Sequence, residues 1–299
     1  MPANIREIKG RMKAVGNIQR ITKTMQLIAS ARFQAMQKKA TQSQAYSAKI
    51  VEMVGELAAS LGGGAGGGDI SHPLLTAPDS PRGKERVLVL TSERGLCGAY
   101  NGNVMRKGLA YIRDERGLDR VQLEIVGKKG QAFAKFNRLP VSQNYSFGDS
   151  PAYEAVEELA QTYIDEFTAG KIDAVKVVYM KFISMGKQEP VVQTLLPLEP
   201  PQAEAAETTT SGTNAVYEFS PEPEQLLAEL LPVTVKVSLY QAFMDAVVSE
   251  QLARMVAMKA ATDAAGKQGK SLKRQFNRAR QTAITTELSE IIGGAAALE

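Results

Sequence analysis

Residues 5–28 read IREIKGRMKAVGNIQRITKTMQLI, with apolar side chains at Ile5, Ile8, Met12 and Val15, then Ile18, Ile21, Met25 and Ile28. Steps of three and four residues put one apolar stripe along a helix. The two consecutive steps of three, from Val15 to Ile18 to Ile21, predict local overwinding of a coiled coil. Proline is absent from Asn4 to about Leu61, and glycine is sparse (Gly10, Gly16, Gly55). A helix of about 55 residues at 1.5 Å per residue reaches roughly 80 Å, too long for the interior of one globular domain. The run GGGAGGG at 62–68 then stops it, because glycine gives up more backbone freedom than any other residue on entering a helix.

The other end of the chain mirrors this. After SPEPEQ the pattern turns helical, with Val233, Val237, Tyr240, Met244 and Val247 in one stripe. Met255, Met258 and Thr262 prolong the stripe beyond the polar Gln251, and no proline follows Pro232. Two very long helices with one apolar stripe each satisfy one another as an antiparallel pair. That pairing returns both ends of whatever lies between them to one place.

What lies between reads as α/β. Short β-branched runs at 86–92, 121–127, 173–182 and 190–198 alternate with helical patterns at 101–116, 129–137 and 152–169. SMGKQEP (184–190) predicts a tight turn that makes the last two strands antiparallel. EPPQAEAAETTTSGTN (199–214) has nothing to build a core with and reads as a surface loop. The expected fold class is therefore an antiparallel coiled coil of two terminal helices with an inserted Rossmann-like α/β domain. Its parts are an N-terminal helix at 1–61, a glycine-rich linker at 62–83, the α/β domain at 84–198, a mobile loop at 199–220 and a C-terminal helix at 221–299.

Charge is segregated. The net of +4 divides into +9 over residues 1–50, +4 over 251–299 and −9 between them, so the two ends share an environment that the centre does not. No run approaches 18 consecutive apolar residues, which predicts no membrane span. The opening MPANIREIKGRMKAV has neither the apolar core of a signal peptide nor an acid-free transit composition. With a single cysteine, Cys97, no internal disulfide can form, and a reducing, cytosolic setting is expected.

Candidate chemistry is thin. TSERGLCGAYNGN (91–103) follows a strand and spaces its glycines, yet it matches neither G-x-G-x-x-G nor G-x-x-x-x-G-K-[ST]. A structural turn is the expectation, not a phosphate cradle. His72 is the only histidine, too few for a zinc site or a Ser-His nucleophile. Cys97 reads as a small packing residue. No catalytic residue, metal or cofactor is expected. Arg6, Lys9, Lys13 and Arg20 line one flank of the first helix, so a basic coiled coil that binds nucleic acid is the rival reading. Only Phe33 and Tyr46 could stack on bases there, which favours a solvated flank or a face for carboxylates of a protein partner.

Four segments together resemble one family, the gamma subunit of F-type ATP synthase. They are MKAVGNIQRITKTMQLIASARF, TSERGLCGAYNGNV, SEQLARMVAMKAATDAA and NRARQTAITTELSEIIGGAA, in that order. The pattern Ile284-Thr285-x-Glu287-x-x-Glu290-x-x-x-Gly294-Ala295 is the most specific part. Ala264 stands where the family usually has Asn, and Lys267–Arg274 is more basic and more interrupted by glycine than its norm. The resemblance implies a rotor shaft inside a ring of alternating alpha and beta subunits, turned by the membrane c-ring, with the epsilon subunit at the α/β end. It implies a peripheral location on the cytoplasmic face of a bacterial inner membrane. By matching positions it assigns beta contacts to Met25, Arg254, Arg280, Gln281 and Thr285. It also makes Ile291, Ile292, Ala295, Ala296, Ala297 and Leu298 an apolar tip turning in an apolar sleeve.

Overall fold

The computed structural model describes residues 5–62, 72–76, 83–198 and 223–296. Helix α1 spans Ile5–Gly62 and helix α5 spans Pro223–Ala296. Between them come β1 (Glu85–Leu90), α2 (Tyr100–Ala110), β2 (Val121–Val126), α3 (Lys128–Phe136), β3 (Val141–Tyr145), α4 (Tyr153–Thr168), β4 (Ala174–Ser184) and β5 (Lys187–Leu196). The chain divides into two compact units, Met1–Ala31 with Arg254–Glu299, and Arg32–Ala253. The division falls inside both long helices, not at their ends. The 199–220 loop and most of the 62–83 linker lie outside the described residues.

In the first unit the two helices run antiparallel. A Cβ on Gly269 would touch Val15, and one on Gly266 would touch Gln19. Thr262 Oγ1 donates to Thr22 Oγ1 at 2.8 Å. As the number rises from 15 through 19 to 22 on α1, it falls from 269 through 266 to 262 on α5. Val15, Ala265 and Leu272, with Met12 against them, form the apolar seam. The expected α1 stripe is corrected here. Ile8, Val15, Thr22 and Ala29 are buried at strict seven-residue intervals, whereas Ile18, Ile21 and Ile28 are each at least half exposed. A period of seven keeps one seam facing the partner helix. Small residues at its centre (Thr22, Ala265, Gly266) let the backbones approach, and this throws the larger isoleucines outward.

The second unit is a three-layer sandwich. Its sheet has the order β3-β2-β1-β4-β5, with the first four strands parallel and β5 antiparallel to β4. One face is covered by α4 together with Ile50, Val54 and Leu57 of α1 and Leu227–Ala246 of α5. The other face is covered by α2, α3 and the wide turn Tyr111–Arg116. Leu74, in the stretch read as linker, is a core residue at 2% exposure, and its carbonyl accepts from Leu198 N.

Two readings of the strands need correction. β3 was not expected, since VSQNY is polar and three of its five positions are exposed; what makes it a strand is pairing with β2. The 184–190 turn shrinks to Met185-Gly186, and Pro190 sits within β5 opposite Met180. Proline is tolerated there because β5 is an edge strand with no neighbour to receive its missing N–H. The predicted helix at 101–116 ends as α-helix at Ala110 and widens into a π-turn.

Composition alone marks an 18-residue window of α5 as apolar enough for a membrane, contrary to the sequence expectation. Leu227, Leu231, Val235, Leu239 and Phe243 spend that apolar surface on the sheet, as a core helix does.

Candidate functional site: the motif loop and the uncovered end of the last helix

The 91–103 loop is a closed hydrogen-bond knot. Thr91 Oγ1 donates to Val126 O and accepts from Gly130 N at 2.9 Å. Any Cβ on Gly130 would fall 2.6 Å from that hydroxyl, and one on Gly127, where φ is +91°, would fall 2.4 Å from Thr91 O. Both glycines are therefore required by close approach. Ser92 N donates to Asn101 Oδ1 at 3.0 Å, Ser92 Oγ to Arg94 O at 2.7 Å, and Asn101 Nδ2 to Cys97 Sγ at 3.2 Å. Cys97 is buried, as a packing residue should be. Thr91, Ser92 and Asn101 thus spend their side-chain polar groups within the loop and on the strand and helix beside it.

An open α/β sheet takes ligands at the carboxyl ends of its strands, where strand order reverses. That point, between β1 and β4, is occupied here by α5. Ser249 Oγ donates to Met180 O at 3.1 Å, Phe243 and Ala246 lie under Leu90, and Ala253 reaches the opposite apolar cluster. What remains is a cavity of about 30 Å³, the size of a water. Among the described residues no group of three or more His, Cys, Asp or Glu could hold a metal. His72 is a turn residue: Leu74 N donates to its Nδ1 at 3.2 Å, and burial lowers its pKa, favouring the neutral ring.

The sequence reading missed two ionic networks. Arg86 reaches Glu166 through two nitrogens at 2.7 and 2.8 Å and also Glu124, which in turn accepts from Tyr163. Burial, then the Glu124 charge, raises the Tyr163 pKa well above its usual value, and the same pair of causes pushes Tyr145 up to about 12. A charge of each sign inside the apolar runs ERVLVL and VQLEIV was the available signal. The second network, centred on Asp149, joins Arg32 of α1 to Arg94 of the motif loop.

The residues assigned to partner contact separate into two groups. Met25 is partly exposed on α1, and Arg280, Gln281 and Thr285 are exposed on α5. Arg254 is buried, at 7% exposure. Thr285 Oγ1 donates to Gln281 O at 2.9 Å, leaving its lone pairs as the outward polar feature. Ala279 is the last α5 position with any cover, which is where the antiparallel register places Ile5; every residue from Arg280 to Ala295 is exposed. Along that stretch Ile284, Leu288, Ile291 and Ile292 are between 55% and 64% exposed. Ala297 and Leu298 lie outside the described residues, and of Ala296 only the helical backbone is described.

Such an arrangement defines a class: a paired-helix unit, and an α/β unit in which α5 fills the crevice at the carboxyl ends of the strands. Comparison with known proteins agrees. The family described as ATP synthase matches residues 4–298. The ATP synthase gamma chain of Rhodopirellula baltica is 44% identical over 99% of both chains, and that of Heliobacterium modesticaldum is 37% identical over 98% of this chain and 99% of its own. The rotor structure of the Euglena gracilis mitochondrial ATP synthase matches at TM-score 0.61 and 17% identity, over 94% of this chain and 98% of that one. The Tetrahymena thermophila central stalk matches at TM-score 0.56 and 19% identity, over 81% and 99%. The chain belongs to the ATP synthase gamma-chain family.

Proposed function

We propose that this chain couples rotation of a membrane c-ring to the conformational cycle of catalytic beta subunits, without itself carrying out chemistry. The observation that carries this reading is the uncovered end of α5. From Arg280 to Ala295 one helix exposes an apolar stripe that no other described residue covers. Apolar surface of this extent marks an interaction site, and a ring of alternating alpha and beta subunits supplies a sleeve for it. Ile291, Ile292 and Ala295 carry no directional hydrogen-bonding groups, so they can turn against an apolar wall with low barriers. Arg280, Gln281 and Thr285, one turn apart, offer donors and acceptors to beta loops, and Met25 offers a matching contact on α1. A guanidinium suits carboxylates on those loops because its fork holds both oxygens. As the shaft turns, each beta subunit meets a different face and one of its conformations is favoured. The α/β domain rests on the epsilon subunit and the c-ring, and the complex lies on the cytoplasmic face of a bacterial inner membrane.

The test is Arg280→Glu combined with Gln281→Leu in complexes matched for subunit content. A charge-assisted contact contributes about 1.5–3 kcal/mol, so ATP hydrolysis and proton-driven synthesis should slow by about ten- to a hundredfold. Near wild-type rates in both directions would show that shape alone does the coupling.

A further inference from the structure

We infer that the seven-residue loop from Phe147 to Tyr153 is a collar through which torque passes between the α/β domain and both long helices, with Asp149 as its positioning residue. The inference rests on the rotor reading above. Phe147 packs edge-on against Phe243 of α5, with ring centres 5.0 Å apart. Tyr153, at the other end of the loop, packs edge-on against Tyr240, one helical turn earlier on α5, at 5.3 Å. Between the two rings, Gly148 turns the backbone at φ +70° and presents Asp149. One oxygen of that carboxylate, Oδ2, accepts from Arg32 of α1 and from Arg94 of the motif loop. Ser146, immediately before the collar, donates to Glu93 at 2.8 Å and so joins the same two loops a second time.

Rings and carboxylate do different work. The aromatic contacts resist separation of α5 from the sheet, but apolar rings in contact can slide. A carboxylate oxygen shared by two guanidinium groups fixes direction, because their donors must point at the acceptor. Asp149 is therefore the group that holds α1 against sliding along the domain. Phe33, next to Arg32, meets Phe182 of β4 at 6.1 Å, so α1 has an apolar contact beside its polar one just as α5 does. A domain that turns drags α1 through Arg32 and α5 through its two rings.

The experiment uses the assembled, membrane-bound enzyme with Asp149→Ala, and with Asp149→Glu as the conservative variant. ATP hydrolysis, ATP-driven proton pumping and proton-driven synthesis are measured together, at equal subunit content. Expected in Asp149→Ala is a fall in pumping per ATP hydrolysed of about three- to tenfold, the range for a charge-assisted contact discounted for partial exposure. Hydrolysis should stay within about twofold of wild type, and Asp149→Glu should restore most of the ratio. An unchanged ratio in Asp149→Ala overturns the inference. So does a parallel loss of hydrolysis, pumping and subunit content, because that marks a fold contact and no more. Arg32→Gln provides a second variant that leaves the loop intact, and it should reproduce the loss of ratio. A wild-type chain that fails to support turnover with alpha and beta subunits would instead count against the rotor reading.

Discussion

Two stretches of α5 both carry large apolar side chains and meet opposite fates. From Leu227 to Val248 the helix buries most of its positions, with Leu231, Val235, Leu239 and Val248 at 1% exposure or less. From Arg280 to Ala295 no residue is covered. The difference is the chain's own supply of partners. The first stretch meets a sheet and α4; the second runs past Ile5, the first described residue of α1. Apolar content therefore shows that a helix needs cover, and the register shows whether the chain provides it.

The sharpest way to break this comparison is to truncate one side chain in each stretch. Phe243→Ala removes a ring that packs on Phe147 and fills the carboxyl edge of the sheet. Such a deletion costs about 3–5 kcal/mol. Ile291→Ala removes a side chain that is 64% exposed, so the isolated chain should lose less than about 0.5 kcal/mol. Urea denaturation of the isolated chains gives both numbers, and assembly with alpha and beta subunits gives the converse. There Ile291→Ala should weaken binding although it leaves stability alone. Equal destabilisation of the isolated chain would mean that the end of α5 folds onto something in this chain.

This contrast also explains what could be read from the sequence. Two long helices, an α/β insert and the antiparallel last strand pair follow from periodicity and from the placing of glycine and proline. Polar β3 could not be recognised from composition, because only its neighbour β2 makes it a strand. Periodicity located the α1 stripe but not which of its members face inward. Ile18 and Ile21 fit a helical stripe as well as Val15 does, and the choice was made by the close approach at Thr22 and Gly266. Arg254 matched a family position, yet its burial is a matter of packing that spacing does not reveal. The Asp149 collar joins residues separated by 117 and 55 positions, a convergence that no local pattern announces.

A smaller effect is expected from Asp245, a carboxyl in the buried half of α5. Burial raises its pKa to about 6, against the opposing influence of the Gln241 side chain, the Lys181 charge and the Phe182 N–H. Tyr179 also faces it from β4 and is pushed up by burial, then by the Asp245 charge. A folded-state pKa above the unfolded value means that the native state holds the proton more tightly. Stability from this group is thus fully present below about pH 4 and is lost as pH rises through about 6. At neutral pH the cost is on the order of 2 kcal/mol. Asp245→Asn should be more stable than wild type at pH 7, and the gap should shrink as pH falls from 6 to 4. A gap that is constant with pH would assign the effect to packing. The exposed half of α5, from Arg280 to Ala295, has no such buried carboxyl.

The smallest effect concerns the paired segment between the two stretches, where α5 carries Gly266 and Gly269 in mid-helix. Each glycine costs a helix about 1 kcal/mol relative to alanine unless the space is needed. At Gly269 the space is free: a Cβ would lie 3.9 Å from Val15 Cγ1, an ordinary contact. At Gly266 it would lie 3.0 Å from Gln19 Nε2, so the Gln19 side chain would have to move. Gly269→Ala should therefore raise stability by about 0.5–1 kcal/mol, through helix propensity and a less flexible unfolded chain. Gly266→Ala should gain less, because displacing Gln19 offsets part of the same benefit. The measurement is the thermal midpoint of helix loss in the isolated chain, followed by circular dichroism, for both variants and the double. Destabilisation by Gly269→Ala would mean that Val15 sits closer to α5 than the antiparallel register places it. A gain at Gly266 equal to that at Gly269 would mean that Gln19 is already free to swing away. If both expectations hold, the paired segment is intermediate between the two stretches of α5: covered by its own chain, yet not packed to the limit that the core imposes on Phe243.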